Sequence, residues 1–232
     1  MAFDLKLTQE LVALCERIEA DPGPDPSERY MDDHDYAEAA RHLAQQVADG
    51  PLWVFAYGSL IWKPAFTAEE HLVGTAHGWH RSFCLEIRRW RGTPQQPGLM
   101  LALRRGGSCR GVAYRLPKTN ITAQIEEMLR REISRPGGLK CMRWLPVNHN
   151  GTRIKALTFW AVDADYPAFV DKAPEQVAHI LARACGHFGS GASYLYHTIL
   201  NLHAHGIRDR YLWRLQQLVA DEIALLKTQS RA

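Results

Sequence analysis

The stretch "WVFAYGSLIWKP", residues 53–64, begins as a buried strand and then interrupts itself. Its first three residues are apolar and of types that favour β-structure. Gly58 and Ser59 break the run, and apolar residues return at 60–62. Many strands simply end in a Gly-Ser turn. The alternative is that the backbone leaves the sheet at this point in order to meet a ligand.

Composition excludes several classes of protein. The chain has 232 residues, of which 46% are hydrophobic and 23% charged, which is typical of a globular protein. Its net charge of +3 is too small to indicate a nucleic-acid partner, and it is compatible with an anionic small substrate. No apolar run is long enough to cross a bilayer and no signal pattern begins the chain, so we expect no membrane partner. Five cysteines without a C-x-x-C pair indicate a reducing cytoplasm rather than a disulfide framework.

The first part of the chain is predicted to be a helical arm. Apolar residues at helical spacing predict a short helix over 9–20, and "DPGPDPSER" reads as a loop. Asp35 and Glu38 form a capping-box-like start for a second helix, which Gly50 and Pro51 would stop. We therefore predict an N-terminal helical extension over 1–50 and one domain, with C-terminal helices, over 51–232.

From residue 51 the period changes to that of strands. Five short β-rich segments are predicted at 52–57, 71–79, 81–87, 99–105 and 111–116, with Gly106-Gly107 as a hairpin turn. A helix over about 120–133, capped by Asn120 or Thr122, precedes a second hairpin that turns at "NHNG", 148–151. Helices follow at 174–186, 193–205 and 209–228. Mixed strands followed by a helical tail predict an α+β fold.

Familiar catalytic motifs are absent from the sequence. It contains no phosphate loop, no dinucleotide fingerprint and no G-x-S-x-G elbow around Ser59. The histidine pairs His77/His80 and His203/His205 have no accompanying set of metal ligands, so we expect no metal site. The cysteines lie in no activating pattern, and burial without reactivity is the interpretation for Cys84, Cys109 and Cys185.

The basic run "IRRWRG", residues 87–92, is open to three interpretations. Arg88, Arg89 and Arg91 beside Trp90 could hold a phosphate or a base. They could instead form a solvated strand end, or a clamp for the carboxylate of a peptide-like substrate.

The helix "ITAQIEEMLRRE" carries the most informative carboxylates. Glu126 and Glu127 each lie four residues before an arginine, so both are expected to form surface ion pairs. Glu132 has no such partner and lies at the helix end, where the negative end of the helix dipole raises the pKa of a carboxyl group. A carboxylate of this kind can act as a general base and acid near neutral pH.

The residues 57–63, "YGSLIWK", together with Arg130-Arg131-Glu132, closely resemble the ChaC-type γ-glutamylcyclotransferases. Further matches are Arg91-Gly92, Pro97-Gly98, "GVAYRL" at 111–116, and "GSGASYL" ending at Tyr194-Leu195. The resemblance covers roughly 52–205. It departs from the family after the glutamate, where "SRPGGL" puts Leu139 in place of an aromatic residue.

The resemblance implies a mixed β-sheet or small barrel with flanking helices, and an enzyme that needs neither cofactor nor metal. It implies glutathione as the small-molecule substrate, with 5-oxoproline and cysteinylglycine as products. Glu132 would be the general base and acid. The substrate-binding residues implied are Tyr57, Gly58, Ser59, Leu60, Arg91 and Tyr194. Two alternatives remain: a cyclotransferase for other γ-glutamyl amines, and a binding module on the same fold without catalysis.

Overall fold

The computed structural model describes residues 5–48, 50–162 and 168–229. Its backbone divides into two compact units. The helical unit comprises the described residues of Met1–Gly23, Arg81–Ala102 and Asp163–Ala232. The barrel unit comprises those of Pro24–His80 and Leu103–Val162. The domain boundary at residues 50 and 51 stays a prediction.

The barrel unit is built around a closed five-stranded barrel in the order β1-β3-β2-β4-β5. The strands are β1 (Trp53–Ala56), β2 (Glu70–Ile87), β3 (Gly98–Arg115), β4 (Met142–His149) and β5 (Thr152–Phe159). Residues 81–87 of β2 and 98–102 of β3 belong to the helical unit. β1 pairs antiparallel with β3 and parallel with β5. All four residues of β1 are buried, as its apolar sequence predicts. The expected α+β fold with a small barrel is confirmed.

Two strands are longer than the sequence predicts. The segments 71–79 and 81–87 form the single strand β2, and 99–105 and 111–116 form the single strand β3. The hairpin predicted at Gly106-Gly107 is therefore wrong. Both glycines have positive φ, at 104° and 70°, but they lie inside β3, where a Cβ on either would lie 3.8 or 3.6 Å from His80. Residues with positive φ occur in irregular strands as well as in turns. Two adjacent glycines in a sequence therefore do not show which of the two structures is present.

The second predicted hairpin is confirmed. β4 and β5 pair from Met142 opposite Phe159 to His149 opposite Thr152. The two residues between them, Asn150 and Gly151, both have positive φ, at 45° and 82°. Asn-Gly is the pair that a two-residue hairpin of this backbone geometry favours.

Two helices accompany the barrel, α2 (Asp33–Gln46) and α3 (Ile121–Glu132), and they contact each other. The capping box of α2 is formed by Asp32 and Asp35 rather than by Asp35 and Glu38. Asn120 precedes α3 with φ of 55°, and its side chain makes no capping hydrogen bond. A short 3₁₀ segment, Pro136–Cys141, leads from α3 to β4.

The helical unit contains α1 (Gln9–Ala13), α4 (Pro174–Leu181), α5 (Gly191–Ala204) and α6 (Arg210–Gln229), together with the short pair β6 (Cys185–Gly186) and β7 (Gly189–Ser190). α1 is shorter than predicted and contacts α5 and α6. None of the described helices is long and apolar enough to span a membrane. All five cysteines are free thiols, and four are buried: Cys15, Cys84, Cys109 and Cys185.

Candidate active site

The interruption after β1 is a tight 3₁₀ turn over Ser59–Ile61. Its own hydrogen bonds begin with the N–H of Ile61, which donates to Gly58 O at 3.0 Å. The turn itself therefore makes no use of the N–H groups of Ser59 and Leu60. The Tyr114 hydroxyl donates to Ile61 O at 3.3 Å, which fixes the far side of the turn. Gly58 and Leu60 are buried, and Tyr57 is half-buried.

Glu132 is the last residue of α3, and the helix end around it is fixed. The next residue, Ile133, is extended; its N–H donates to Leu129 O at 2.8 Å, and its carbonyl accepts the Tyr36 hydroxyl at 2.8 Å. Although a fifth of the Glu132 side chain is exposed (20%), burial of the carboxyl group raises its pKa above the usual value. Arg131, whose Nε lies 3.4 Å from Glu132 Oε1, opposes that shift in pKa.

The other acids of α3 are arranged differently. Glu126 accepts from Arg130 Nη2 at 2.6 Å, so this predicted ion pair is confirmed. The predicted pair of Glu127 with Arg131 is not formed among the described residues, because Arg131 contacts Glu132 instead. Glu127 is exposed. Among these acids, only Glu132 combines a fixed helix end with a raised pKa.

In the helical unit, Arg91 and Tyr194 lie together. The guanidinium carbon of Arg91 lies 5.2 Å from the centre of the Tyr194 ring, and Arg91 Nη1 donates to Ser190 O at 3.0 Å. Tyr194 is buried, and its ring also packs edge-on against Phe83 at 5.9 Å. Burial lowers the pKa of Arg91, while Tyr194 and Glu16 act in the opposite direction.

Glu16 is a member of this arrangement that the sequence did not indicate. Its carboxylate accepts the Ser190 hydroxyl at 2.8 Å and the Ser190 N–H at 3.2 Å. Ser190 is the N-cap of α5, and its Oγ accepts the N–H of Ser193 at 3.0 Å. Glu16 precedes the region of resemblance and belongs to no recognised motif, so no sequence signal could have identified it.

Glycines allow the backbone around Arg91 to pack closely. A Cβ on Gly92 would lie 2.3 Å from Gly98 N, and one on Gly186 would lie 2.4 Å from Trp90 O. Any larger residue at these positions would force the backbone apart. The pairs Arg91-Gly92 and Pro97-Gly98 therefore shape one another, which explains why both recur in the resemblance.

The arginines of "IRRWRG" follow the end of β2, and each has its own partner. Arg88 pairs with Glu86 at 3.2 Å and is exposed, as expected of a solvated strand end. Arg89 binds Asp21 through two hydrogen bonds of 2.7 and 2.6 Å, which lower the pKa of Asp21 to about 2. Neither arrangement offers a phosphate clamp.

His77 and His80, one of the two histidine pairs, each contact a residue of β3. His77 Nδ1 lies 3.1 Å from Ser108 Oγ, and His80 Nδ1 lies 3.0 Å from Gly106 O. Within the described ranges, the group whose ligand atoms could meet at one ion is that of Asp32, His34 and Asp35. Its two aspartates form the capping box of α2, which accounts for their arrangement.

The predicted residues thus fall into two sets. The 57–60 turn and Glu132 belong to the barrel unit, and Arg91 and Tyr194 belong to the helical unit. A cavity of about 150 Å³ in the barrel unit contains none of them, and it lies between α2, β1 and the start of α3. We therefore do not assign it to the site.

Comparison with known proteins identifies the family. The family model for ChaC, described as "ChaC-like protein", matches residues 52–222. The chain is 37% identical over 175 residues to the glutathione-specific gamma-glutamylcyclotransferase of Escherichia coli (strain K12), an alignment that covers 75% of this chain and 74% of that protein. It is 31% identical over 148 residues to the glutathione-specific gamma-glutamylcyclotransferase 1 of Mus musculus, covering 62% and 66%.

The fold is also that of a solved cyclotransferase. The crystal structure of the yeast gamma-glutamyl cyclotransferase specific to glutathione superposes with a TM-score of 0.66 at 21% identity, covering 74% of this chain and 96% of that one. A similarity at this level of identity shows the fold alone. Together with the match over 52–222, it establishes that the chain belongs to the ChaC-like family.

Proposed function

We propose that this protein is a γ-glutamylcyclotransferase that converts glutathione into 5-oxoproline and cysteinylglycine, with Glu132 as the general base and acid. One observation carries the catalytic assignment: Glu132 lies at a fixed helix end, and burial raises its pKa toward the range that suits proton transfer at neutral pH. Membership of the ChaC-like family supports the reaction type, and the named activity of the E. coli relative supports the substrate.

The reaction is an intramolecular aminolysis. Glu132 takes a proton from the substrate's α-ammonium group, and the freed amine attacks the γ-carbonyl carbon. The new C–N bond closes a five-membered lactam. The bond to the cysteine nitrogen then breaks as Glu132 returns the proton to that nitrogen. The lactam nitrogen still carries one proton too many, and Glu132 transfers this second proton to the freed amine, so that cysteinylglycine leaves with an ammonium group. Nucleophile, electrophile and leaving group all belong to the substrate, so the proposed reaction needs no cofactor and no metal.

The turn over 57–60 is proposed to bind the α-carboxylate of the γ-glutamyl group. Consecutive backbone N–H groups make suitable anion-binding sites, and those of Ser59 and Leu60 are not used by the turn. Holding the chain in a folded geometry is the main catalytic contribution, because well-oriented intramolecular reactions reach effective molarities of about 10⁵ to 10⁸ M. Arg91 and Tyr194 are proposed as further substrate-binding residues.

We propose that the protein acts in a reducing compartment, the cytoplasm, and its cysteines support this. All five cysteines are free thiols, which is the usual state of cysteines in that compartment.

Product analysis tests the proposal. We expect incubation with glutathione to yield equimolar 5-oxoproline and cysteinylglycine by mass spectrometry. N-acetylglutathione lacks the nucleophilic amine, so we expect no cleavage of it. Release of glutamate, or cleavage of the N-acetyl compound, would indicate hydrolysis and contradict the proposal. Turnover of γ-glutamyl amines but not of glutathione would favour the alternative substrate class.

A further inference from the structure

Two arginines of the barrel unit lie over the same pair of buried tryptophans. The guanidinium carbon of Arg105 lies 5.4 Å from the ring centre of Trp160 and 6.0 Å from that of Trp79. The corresponding distances for Arg143 are 5.4 and 5.8 Å. The two rings pack edge-on, 5.5 Å apart. We call Arg105 and Arg143 the barrel-end arginine pair.

Each arginine lies two positions along its strand from a residue that faces the barrel interior. Leu103, two residues before Arg105, belongs to the core cluster inside the barrel, and so does Leu145, two residues after Arg143. Side chains two apart on a strand share a face. The arginines are exposed although they share the interior face. They therefore close one end of the barrel: their side chains pack on the rings of Trp79 and Trp160, and their charges are exposed to water.

The pair has no acidic partner among the described residues. Some other arginines of the barrel unit are paired with acids, for example Arg115 with Glu70 at 3.0 Å and Arg130 with Glu126 at 2.6 Å. In the part of the chain that the structure describes, the contacts of Arg105 and Arg143 are those with the tryptophan rings. Two cations beside the same pair of rings, without a counter-charge, repel each other, and an anion bound to both of them removes that repulsion.

An unused hydrogen-bond donor lies in the same cluster. Trp160 is 7% exposed, and its indole Nε1 has no acceptor among the described residues. A buried donor without an acceptor costs free energy, so such groups are uncommon, and a bound water or ligand is one way to satisfy them. The cluster thus combines two unpaired guanidinium groups with an unsatisfied N–H, and each of these features favours an oxyanion as ligand.

The barrel-end arginine pair lies at the end of the barrel that carries the proposed active site. β1 is parallel to β5, so both strands finish at this end, and β4 starts there because Met142 pairs with Phe159. Tyr57, the first residue after β1, packs against the same core cluster as Trp79 and Trp160. The segment that follows Glu132 leads through Pro136–Cys141 into the start of β4.

From this geometry we infer that Arg105 and Arg143 bind the C-terminal carboxylate of the substrate's leaving group. The inference rests on the proposed function. Glutathione has two carboxylates; the turn over 57–60 is proposed to hold one, and the barrel-end arginine pair holds the other. Guanidinium groups bind carboxylates in a planar, two-bond geometry. The pair therefore selects γ-glutamyl compounds whose leaving amine ends in a carboxylate, over neutral γ-glutamyl amines.

Steady-state kinetics with two substrates tests this inference. Glutathione is compared with its glycinamide derivative, which lacks the C-terminal negative charge. We expect the wild-type KM for the amide to be about tenfold above that for glutathione, a factor typical of one lost charge-assisted hydrogen bond. In Arg105→Gln, Arg143→Gln and the double variant, we expect the KM for glutathione to rise toward that for the amide, with little change in kcat. The KM for the amide should not change.

Arg153→Gln is the matched control, because Arg153 is an exposed arginine at the opposite end of β5, next to the hairpin. It should leave both KM values unchanged. Should the glutamine variants fail to fold, Arg105→Lys and Arg143→Lys replace them, because these variants keep the charge. The comparison of KM for glutathione with KM for the amide in the wild-type enzyme tests the inference without any variant. Equal KM values for acid and amide in an active wild-type enzyme would overturn the inference and leave the proposed function intact. Absence of 5-oxoproline from the wild-type enzyme would contradict the proposed function itself.

Discussion

Arg91 and Arg105 both lie beside aromatic rings, but the chain treats the two guanidinium groups in opposite ways. Arg91 donates to Ser190 O, and burial lowers its pKa. Arg105 is exposed, and beyond its contacts with Trp79 and Trp160 it has no partner among the described residues. The two residues of one type thus differ in setting: Arg91 is held by contacts within its own unit, whereas the donors of Arg105 face water and are open to a ligand.

The same contrast holds for carboxylates. Glu16 is bound by the N–H and hydroxyl of Ser190, so its charge is used to fix the start of α5. Glu132 has one longer contact, 3.4 Å to Arg131, and burial raises its pKa. A carboxylate that is satisfied internally stabilises the fold, while one that is buried with little compensation is available for proton transfer. Three predictions test these contrasts between the arginines and between the carboxylates, in order of decreasing expected effect.

Glu132→Gln should nearly abolish turnover. The amide cannot accept the proton of the substrate ammonium, and loss of a general base lowers rates by about 10² to 10⁴. The measurement is kcat for 5-oxoproline release. Glu127→Gln is the control, because Glu127 is exposed on the same helix, and it should retain wild-type turnover. Wild-type activity in the Glu132 variant would show that another group is the base.

Arg91→Met should destabilise the protein by about 2 kcal/mol, because it removes a buried charge-assisted hydrogen bond and a contact with the Tyr194 ring. Arg105→Gln should change the free energy of unfolding by less than about 0.5 kcal/mol, as expected of an exposed residue. Urea unfolding followed by circular dichroism measures both. Equal effects of the two substitutions would remove the distinction between the two arginines.

The pH dependence of stability should differ between wild type and Glu132→Gln. The folded-state pKa of Glu132 is raised above the unfolded value near 4.5, so the folded protein binds more protons between the two values. Stability therefore falls as pH rises through that interval, and the full cost is present above it. The glutamine variant lacks this cost, so it should be more stable than wild type at pH 7. The difference should disappear below the unfolded pKa. Unfolding curves from pH 4 to 8 measure it, and a variant less stable than wild type at pH 7 would contradict the assigned shift.

Local signals made β1 and the last hairpin predictable from sequence. The apolar run of β1 indicates a fully buried strand, and Asn-Gly between β4 and β5 provides the two positive φ angles of a two-residue hairpin turn. The strand interruption at Gly106-Gly107 was misread because positive φ occurs both in turns and inside irregular strands. Glu132 could be selected by its position at a helix end, although burial rather than the dipole is the main cause of its raised pKa.

Contacts between segments distant in sequence were not predictable. Glu16 meets Ser190 across 174 residues, and Arg105 and Arg143 lie over the same two tryptophan rings, of Trp79 in β2 and of Trp160 just after β5. Neither contact leaves a periodic or spaced pattern in the chain. The close backbone approach of Gly92 to Gly98 likewise becomes visible only in three dimensions.

The burial of the cysteines has a consequence for redox chemistry. Under the proposed function the protein works in contact with a thiol substrate and with the disulfide that forms from it. Exchange with such a disulfide requires a protein thiolate. Burial raises the pKa of Cys141 and Cys185, and that of Cys15 to about 11, where about one thiol in 10⁴ is ionised at pH 7. Under the proposed function, these three thiols are thereby protected from forming mixed disulfides with the oxidised form of the substrate.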